Sequence, residues 1–340
     1  MYIGDLHIHS HYSRATSKDL TPEYLDLWAR KKGIDIVGTG DFTHPDWRAE
    51  LAEKLEPAEP GLYILKKERM IRHSCAAGSP QPRFVISGEI SSIYKKNDKV
   101  RKVHSLILLP SLEDAEILSR RLEAIGNIHS DGRPILGLDC HDLLAITLDA
   151  CPEAIYVPAH IWTPHFSLFG AFSGFDTIEE CYEELTPQVH ALETGLSSDP
   201  SMNRRLSALD SFHLISNSDA HSPAKLGREA NLFDIPMSYD GLYGAIQRGE
   251  GLAGTIEFFP EEGKYHFDGH RKCHLCLSPS QARQYNGICP VCGKKLTTGV
   301  LHRIEQLADR QEDFILPGGR PYENLVPLPE VIAACMGSSS

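Results

Sequence analysis

What this chain can fold into is constrained most by a repeated pattern. Short apolar runs stand at residues 2–9, 34–41, 83–90, 103–109, 154–161, 189–196 and 212–218. Amphipathic stretches lie between several of them, among them 22–32 with Tyr24, Leu25, Leu27 and Trp28, and 112–125 with Leu118, Leu122 and Ile125. Repeated β-then-α units imply a parallel sheet covered by helices. Seven such runs fit a closed (β/α)-type barrel better than an open sheet, so the expectation is a distorted seven-stranded α/β barrel.

Barrel enzymes place their sites at the C-terminal ends of the strands. Polar residues gather there in this chain. The first run ends in His7 and His9, the second in Gly40-Asp41-Phe42-Thr43-His44, the third in Gly88-Glu89. The fifth ends in Pro158-Ala159-His160, the sixth in Glu193 to Ser197, and the seventh in Ser216-Asn217-Ser218-Asp219-Ala220-His221. On a strand, residues two apart share a face, so His7 and His9 aim at one point. His104 is the exception, because it opens its run. It reaches the others only if the connection from Glu89 folds back over the barrel mouth.

His7, His9, Glu89, His104, His160, Asp219 and His221 are more donors than one ion uses, since zinc takes four ligands, or three and a water. Two or three ions are expected, with Glu89 as the bridging carboxylate. Clustered divalent ions polarise phosphoryl oxygens and lower the pKa of water, which suits phosphoester hydrolysis. The chain has no G-x-S-x-G elbow, P-loop or dinucleotide fingerprint. Cys140-His141-Asp142 reads as a helix start and not as a thiol site.

A second motif stands near the end. Cys273, Cys276, Cys289 and Cys292 form C-x2-C-x12-C-x2-C, the spacing of a structural zinc held by four thiolates. The whole chain has 340 residues and a net charge of −12. From Phe259 onward nine basic residues balance nine acidic ones, so the acidity belongs to the first 258 residues. Arg271 to Arg303 carries six basic residues and no acid, a cationic patch that coincides with the cysteines. Arg271, Lys272, Tyr285, Lys294 and Lys295 are the candidate contacts to a polyanion such as DNA. The expected organisation is a metal-dependent barrel over 1–258, a zinc ribbon over 259–298 and a helix with a Pro/Gly-rich tail over 299–336. Residues 337–340 read as disordered or appended. No apolar run is long enough to span a membrane, no signal peptide is evident, and paired cysteines argue metal in a reducing compartment, so a cytoplasmic protein is expected.

Asp5-Leu6-His7-Ile8-His9-Ser10, with Glu89, His104, His160 and Asp219-Ala220-His221, resembles the motifs of the PHP (polymerase and histidinol phosphatase) family over about residues 1–258. The resemblance implies one ion on His7, His9, Glu89 and Asp219, a second on Glu89, His104 and His160, and a third including His221. The family often has Thr-Asp-His at the second strand. Here Phe42 occupies a ligand position, which leaves Asp41 or His44 to stand in. With the ribbon, the run Gly299-Val300-Leu301-His302-Arg303-Ile304-Glu305 and the loop Pro317-Gly318-Gly319-Arg320-Pro321, nearly the whole chain resembles the endonuclease Q family. That resemblance implies a DNA repair endonuclease. It would cut the phosphodiester 5′ to uracil, hypoxanthine, xanthine or an abasic site, with hydroxide activated by the clustered ions and the lesion flipped out of the stack. Zinc, Mg or Mn would serve at the mouth, beside one structural zinc. Glu89, Asp219 and His221 would be catalytic, while Ser197, Asn217 and Ser218 would read the base. DNA is the expected partner, with other repair or replication proteins beside it. Two rival readings are a small-molecule phosphatase of histidinol-phosphate type and a DNA-binding module on an inactive barrel.

Overall fold

The computed structural model describes residues 1–337. Strand β1 (Tyr2–Asp5) pairs in parallel with β2 (Ile36–Gly38), and β2 in parallel with β3 (Arg83–Lys96). The parallel order then breaks. Strand β4 (Lys99–Leu109) turns back on β3 through Asn97 and Asp98 as a long antiparallel hairpin, and β5 (Ile155–Pro158) is antiparallel to β4. Strands β6 (Ala191–Glu193) and β7 (His213–Ile215) form a parallel pair. Two links extend the wall past these ladders. Ile161 N donates to Glu193 O at 3.1 Å beyond β5 and β6. An isolated parallel bridge between Ile8 and Ala220 brings the segment after β7 back to the segment after β1.

Both faces of the wall are apolar, as expected where helices cover the outside of a barrel. Leu6, Ile36, Val85, Leu106, Leu108, Val157, Ala191 and Ile215 pack together in one cluster, and Val37, Phe84, Ile86, Ile107 and Leu109 join the larger cluster with the helices. Pro22–Lys32 forms the first helix, with Pro22 in its first turn and Gly33 in the left-handed region (φ 73°) ending it. Cys140–Ala150 is indeed a helix, whose N-cap Asp139 accepts from His141 N at 2.9 Å.

Strand β8 (Ala230–Phe233) runs antiparallel to β1, and β9 (Leu252–Glu257) antiparallel to β8. The tail packs back on the wall. Tyr322–Asn324 adds to β9 in parallel, with Thr255 opposite Tyr322. Helix Val300–Leu307 buries Val300 and Ile304 in the main core, and Arg303 donates to Phe169 O and Phe175 O. Among the described residues, no helix is long and apolar enough to cross a membrane. Ser338–Ser340 of the expected terminal tail lie outside the described residues.

Candidate metal centre and the cysteine ribbon

At the mouth, three groups of donors have their ligand atoms within 4.8 Å of one another: His7, His9 and Glu89; His9, Asp219 and His221; Glu89, His104 and His160. Shared His9 and Glu89 fuse them into one centre. Glu89 Oε1 lies 2.7 Å from His104 Nδ1, 2.9 Å from His160 Nε2 and 3.6 Å from His7 Nε2, while Oε2 lies 3.5 Å from His9 Nε2. His9 Nε2 is 2.9 Å from Asp219 Oδ1. His104 arrives by a route different from the expected one. The antiparallel hairpin sets Ser91 opposite His104, so the first half of β4 lies beside the last half of β3, and pairing within the sheet brings His104 in.

Four of the five imidazoles, all but His104, are braced from behind. His7 Nδ1 donates to both Glu193 oxygens at 3.0 Å. His9 Nδ1 donates to Asp41 Oδ1 at 3.2 Å, and His160 Nδ1 to Thr163 Oγ1 at 3.2 Å. His221 Nδ1 donates to the Asp219 carbonyl at 2.8 Å. Such partners fix the tautomer and aim the other nitrogen forward. His7 Nε2 is buried and has no hydrogen-bond partner, a costly arrangement for an imidazole nitrogen unless a cation takes its lone pair.

The electrostatics agree. Burial would push the His9 pKa down, yet its bonds to Asp219 and Asp41 hold it up at about 9. Burial and the neighbouring His160 and Arg133 push His104 down to about 4, outweighing Glu89, so it is a neutral imidazole ready to ligate. Burial would raise Glu89, but His104, Arg133 and His7 keep it well below the usual carboxylate range. Carboxylates and imidazoles are thus arranged around positive charge, and the donor set fits divalent metal, with Glu89 common to two of the donor groups. Strain marks the same place. Asp41 (φ 50°), His160 (φ 31°) and Asp219 (φ 47°) all have left-handed backbones, at a cost of about 1–3 kcal/mol each, which the surrounding packing must offset. Asp5 holds the last of these loops, accepting from Ser218 N at 3.0 Å and Gly227 N at 2.7 Å.

Three expectations need correction. Phe42 is fully buried among apolar side chains, and neither Asp41 nor His44 joins a donor group. Asp41 instead braces His9 while accepting from Ser10 N, Ser10 Oγ and Ser13 Oγ, and His44 Nε2 pairs with the His129 carbonyl at 3.0 Å. Asn217 has its amide engaged within the protein. Its Oδ1 accepts from Leu6 N at 2.8 Å and Asn231 Nδ2 at 2.9 Å, and its Nδ2 donates to Glu193 Oε1 at 2.8 Å. Cys276 is exposed and stands outside the ribbon's donor group, which consists of His270, Cys273, Cys289 and Cys292.

Of the two other base-reading candidates, Ser197 is buried in the turn after β6, and Ser218 Oγ is buried without a hydrogen-bond partner. No motif or spacing in the sequence points to Arg133. Its Nη1 lies 3.1 Å from Glu89 Oε2, and about a quarter of its side chain (24%) is exposed. Glu193 was also not singled out, although it holds His7, His160 N and Asn217 together. On the ribbon, Arg271, Lys272, Lys294 and Lys295 are exposed and form no ion pair among the described residues, and Tyr285, between the two pairs in sequence, is exposed as well. Arg283 and Arg303 are instead tied to Glu305 and Asp176, so the free cationic face is smaller than the sequence implied.

No family model matches the chain. Among solved structures, it is similar to a lesion-specific endonuclease from Pyrococcus furiosus, at 31% identity and a TM-score of 0.83, over 99% of this chain and 78% of that one. An endonuclease Q bound to a 27-mer duplex with an abasic lesion at its active site matches at 30% identity and a TM-score of 0.85, over 99% and 80%. An uncharacterised protein of Bacillus subtilis, YqxK, is 28% identical over 96% of this chain and 81% of its own length. An uncharacterised protein of Methanocaldococcus jannaschii is 32% identical over 59% of this chain, and the match spans only 26% of that relative's length.

Proposed function

The chain belongs to the endonuclease Q family of metal-dependent DNA endonucleases, and from that premise we propose that it nicks DNA on the 5′ side of deaminated bases and abasic sites. The observation that carries the reading is the fused donor centre at the mouth, built on Glu89 and His9, with an exposed cationic ribbon on the same chain. Divalent ions bound there supply polarisation of the phosphodiester and a water of lowered pKa. The protein's own groups do the rest. Glu193, Asp41 and Thr163 orient His7, His9 and His160. Arg133, held on Glu89 and partly open to solvent, offers a guanidinium to a non-bridging phosphate oxygen. His221 keeps Nε2 free, because Nδ1 is engaged by the Asp219 carbonyl, and with Glu89 and Asp219 it completes the reacting set.

Recognition of a flipped base falls to hydroxyls and not to Asn217. The Ser197 hydroxyl stands in the turn after β6, and the Ser218 hydroxyl is buried next to the Asp5 carboxylate that accepts from Ser218 N. A hydroxyl can donate to the carbonyl that deamination creates. Arg271, Lys272, Lys294 and Lys295 grip phosphates, and Tyr285 offers a stacking face.

The test is incubation of labelled duplexes carrying one uracil, one hypoxanthine or one abasic site with the protein and Mg2+, Mn2+ or Zn2+. Phosphate release from small monophosphates is measured in parallel. A single nick 5′ to each lesion is expected, with little phosphate release. Efficient monophosphate hydrolysis without nicking would make this chain a small-molecule phosphatase.

A further inference from the structure

We propose that the cavity under the Pro/Gly-rich loop of the tail is a nucleotide-binding site, separate from the metal centre. The cavity occupies about 530 Å3 between the flank of the barrel and residues 312–322, a volume that suits a ligand of nucleotide size. No residue lining it belongs to a donor group at the mouth. The loop is an arch pinned at both ends. At one end Arg310 binds both oxygens of Asp210, at 2.8 and 2.5 Å, and its backbone N–H donates to Arg205 O at 3.1 Å. At the other, Tyr322–Asn324 pairs with β9. Gly254 of β9 permits the close approach there, since a Cβ at that position would lie 2.5 Å from Pro321 O. Between the pins the arch does not collapse onto the barrel. Ile315 turns outward and is 85% exposed, while Phe314, Leu316, Tyr322 and Leu214 of β7 line the space beneath.

The same cavity is lined by two guanidiniums, Arg204 and Arg320. Backbone carbonyls hold them in place. Arg204 donates to Leu209 O and, at 3.0 Å, to Phe212 O. Arg320 donates to Leu252 O at 2.7 Å, to Gly249 O at 3.1 Å and to His213 Nδ1 at 3.2 Å. A guanidinium carries five N–H groups, so both side chains have donors left over. Neither forms an ion pair among the described residues, because Asp210 is taken by Arg310 and the exposed Glu312 and Asp313 stay out of reach at the rim. Burial lowers the pKa of both arginines. Burial, with Arg320, His190 and Arg204 beside it, pushes His213 down to about 4, so that imidazole is a neutral acceptor. Half-buried like charges facing one space are costly until an anion comes between them. Guanidinium forks match the oxygens of a phosphate. Phe314 and Tyr322 supply aromatic surface for a flat ring, and the Arg310 guanidinium, 4.0 Å from the Phe314 ring centroid, steadies the first of them. A phosphate carried on a flat heterocycle is a nucleotide. Glu312 and Asp313 accept hydrogen bonds, which favours a base with an exocyclic amino group.

The test is isothermal titration of adenosine 5′-monophosphate into the full chain loaded with Mg2+, with inorganic phosphate and adenosine titrated separately. Binding should persist in Asp219→Ala protein, where the donor centre at the mouth is incomplete. Arg320→Gln should weaken it about 10–100-fold, the worth of a charge-assisted hydrogen bond. Should that variant fail to fold, Phe314→Ala leaves both pins of the arch in place and should weaken binding about tenfold through the lost ring surface. Phosphate alone and adenosine alone should each bind at least about tenfold more weakly than the nucleotide, since each fills half of the site. A 5′-phosphorylated hexathymidylate separates the two sources of such a ligand. Competition with the mononucleotide makes the occupant a strand end, and its absence makes the occupant a free nucleotide. Binding that disappears in Asp219→Ala and is unchanged in Phe314→Ala and Arg320→Gln would place the nucleotide at the mouth and overturn the proposal, as would no heat at millimolar nucleotide.

Discussion

Asn217→Ala gives the sharpest test of how the mouth is built. The side chain is 1% exposed and makes three hydrogen bonds: to Leu6 N, to Asn231 Nδ2 and to Glu193 Oε1. After truncation Asn231 Nδ2 keeps the Ser216 carbonyl at 2.8 Å, and Glu193 Oε1 keeps His7 Nδ1. Leu6 N is left without the acceptor it had. One orphaned buried donor costs about 1–3 kcal/mol and two ordinary bonds about 0.5–1.5 kcal/mol each, so the fold should lose on the order of 4 kcal/mol. The functional loss travels through Glu193 to His7. Removing a partner that orients a ligand weakens metal binding or activity by roughly 10–100-fold. That loss should be the same for uracil, hypoxanthine and abasic duplexes, because no contact to a base is removed. The assay is single-turnover nicking of the three duplexes across a metal titration, with thermal unfolding measured alongside. The ratio of uracil to abasic nicking is insensitive to any unfolded fraction. Base reading by the amide would instead cost up to about 10⁴–10⁵-fold on the deaminated bases alone. A uracil rate falling a hundredfold further than the abasic rate would refute the positioning role.

Glu89→Ala and Asp219→Ala should each abolish nicking while DNA binding persists, since both residues belong to the donor centre; full nicking by Asp219→Ala protein would sink that centre. Lys294→Glu with Lys295→Glu should weaken DNA binding and flatten its salt dependence by about one to two units in the log–log slope, as read by fluorescence anisotropy; an unchanged slope would place this face away from DNA. Glu257 supplies a pH signature. Burial, against hydroxyl bonds from Thr255, Thr194 and Ser216, raises its pKa from 4.5 to about 8. The folded state therefore holds a proton that the unfolded state releases between those values. Its stabilising effect is complete below 4.5 and is lost as the pH rises through 8, by up to ~1.4 kcal/mol per pH unit. Glu257→Gln should flatten this fall in a thermal-unfolding series from pH 5 to 9; an unchanged slope would assign the dependence to other groups.

The sequence by itself determined the apolar runs that become the strands, and the histidines and carboxylates at their ends. Strand periodicity and the need for several donors per ion are local properties, visible wherever the chain is read. Hence His7, His9, Glu89, His160, Asp219 and His221 were legible as a set. What the tertiary structure decided is who stands behind and opposite them. Glu193 reaches His7 across 186 residues and Asn217 reaches Leu6 across 211, and no spacing rule connects partners that meet only when the wall comes together. The direction of β4 was undecidable for a related reason. An apolar run reads the same in parallel and antiparallel order, and only the turn at Asn97 and Asp98 and its pairing with β3 bring His104 to Glu89. His270 carries no signal in the sequence, where the C-x2-C spacing alone satisfies the expectation for zinc, and only the fold brings it beside Cys273, Cys289 and Cys292. Which face of a hairpin a cysteine takes is set by register, and register is set by the leucines that must be buried beside it.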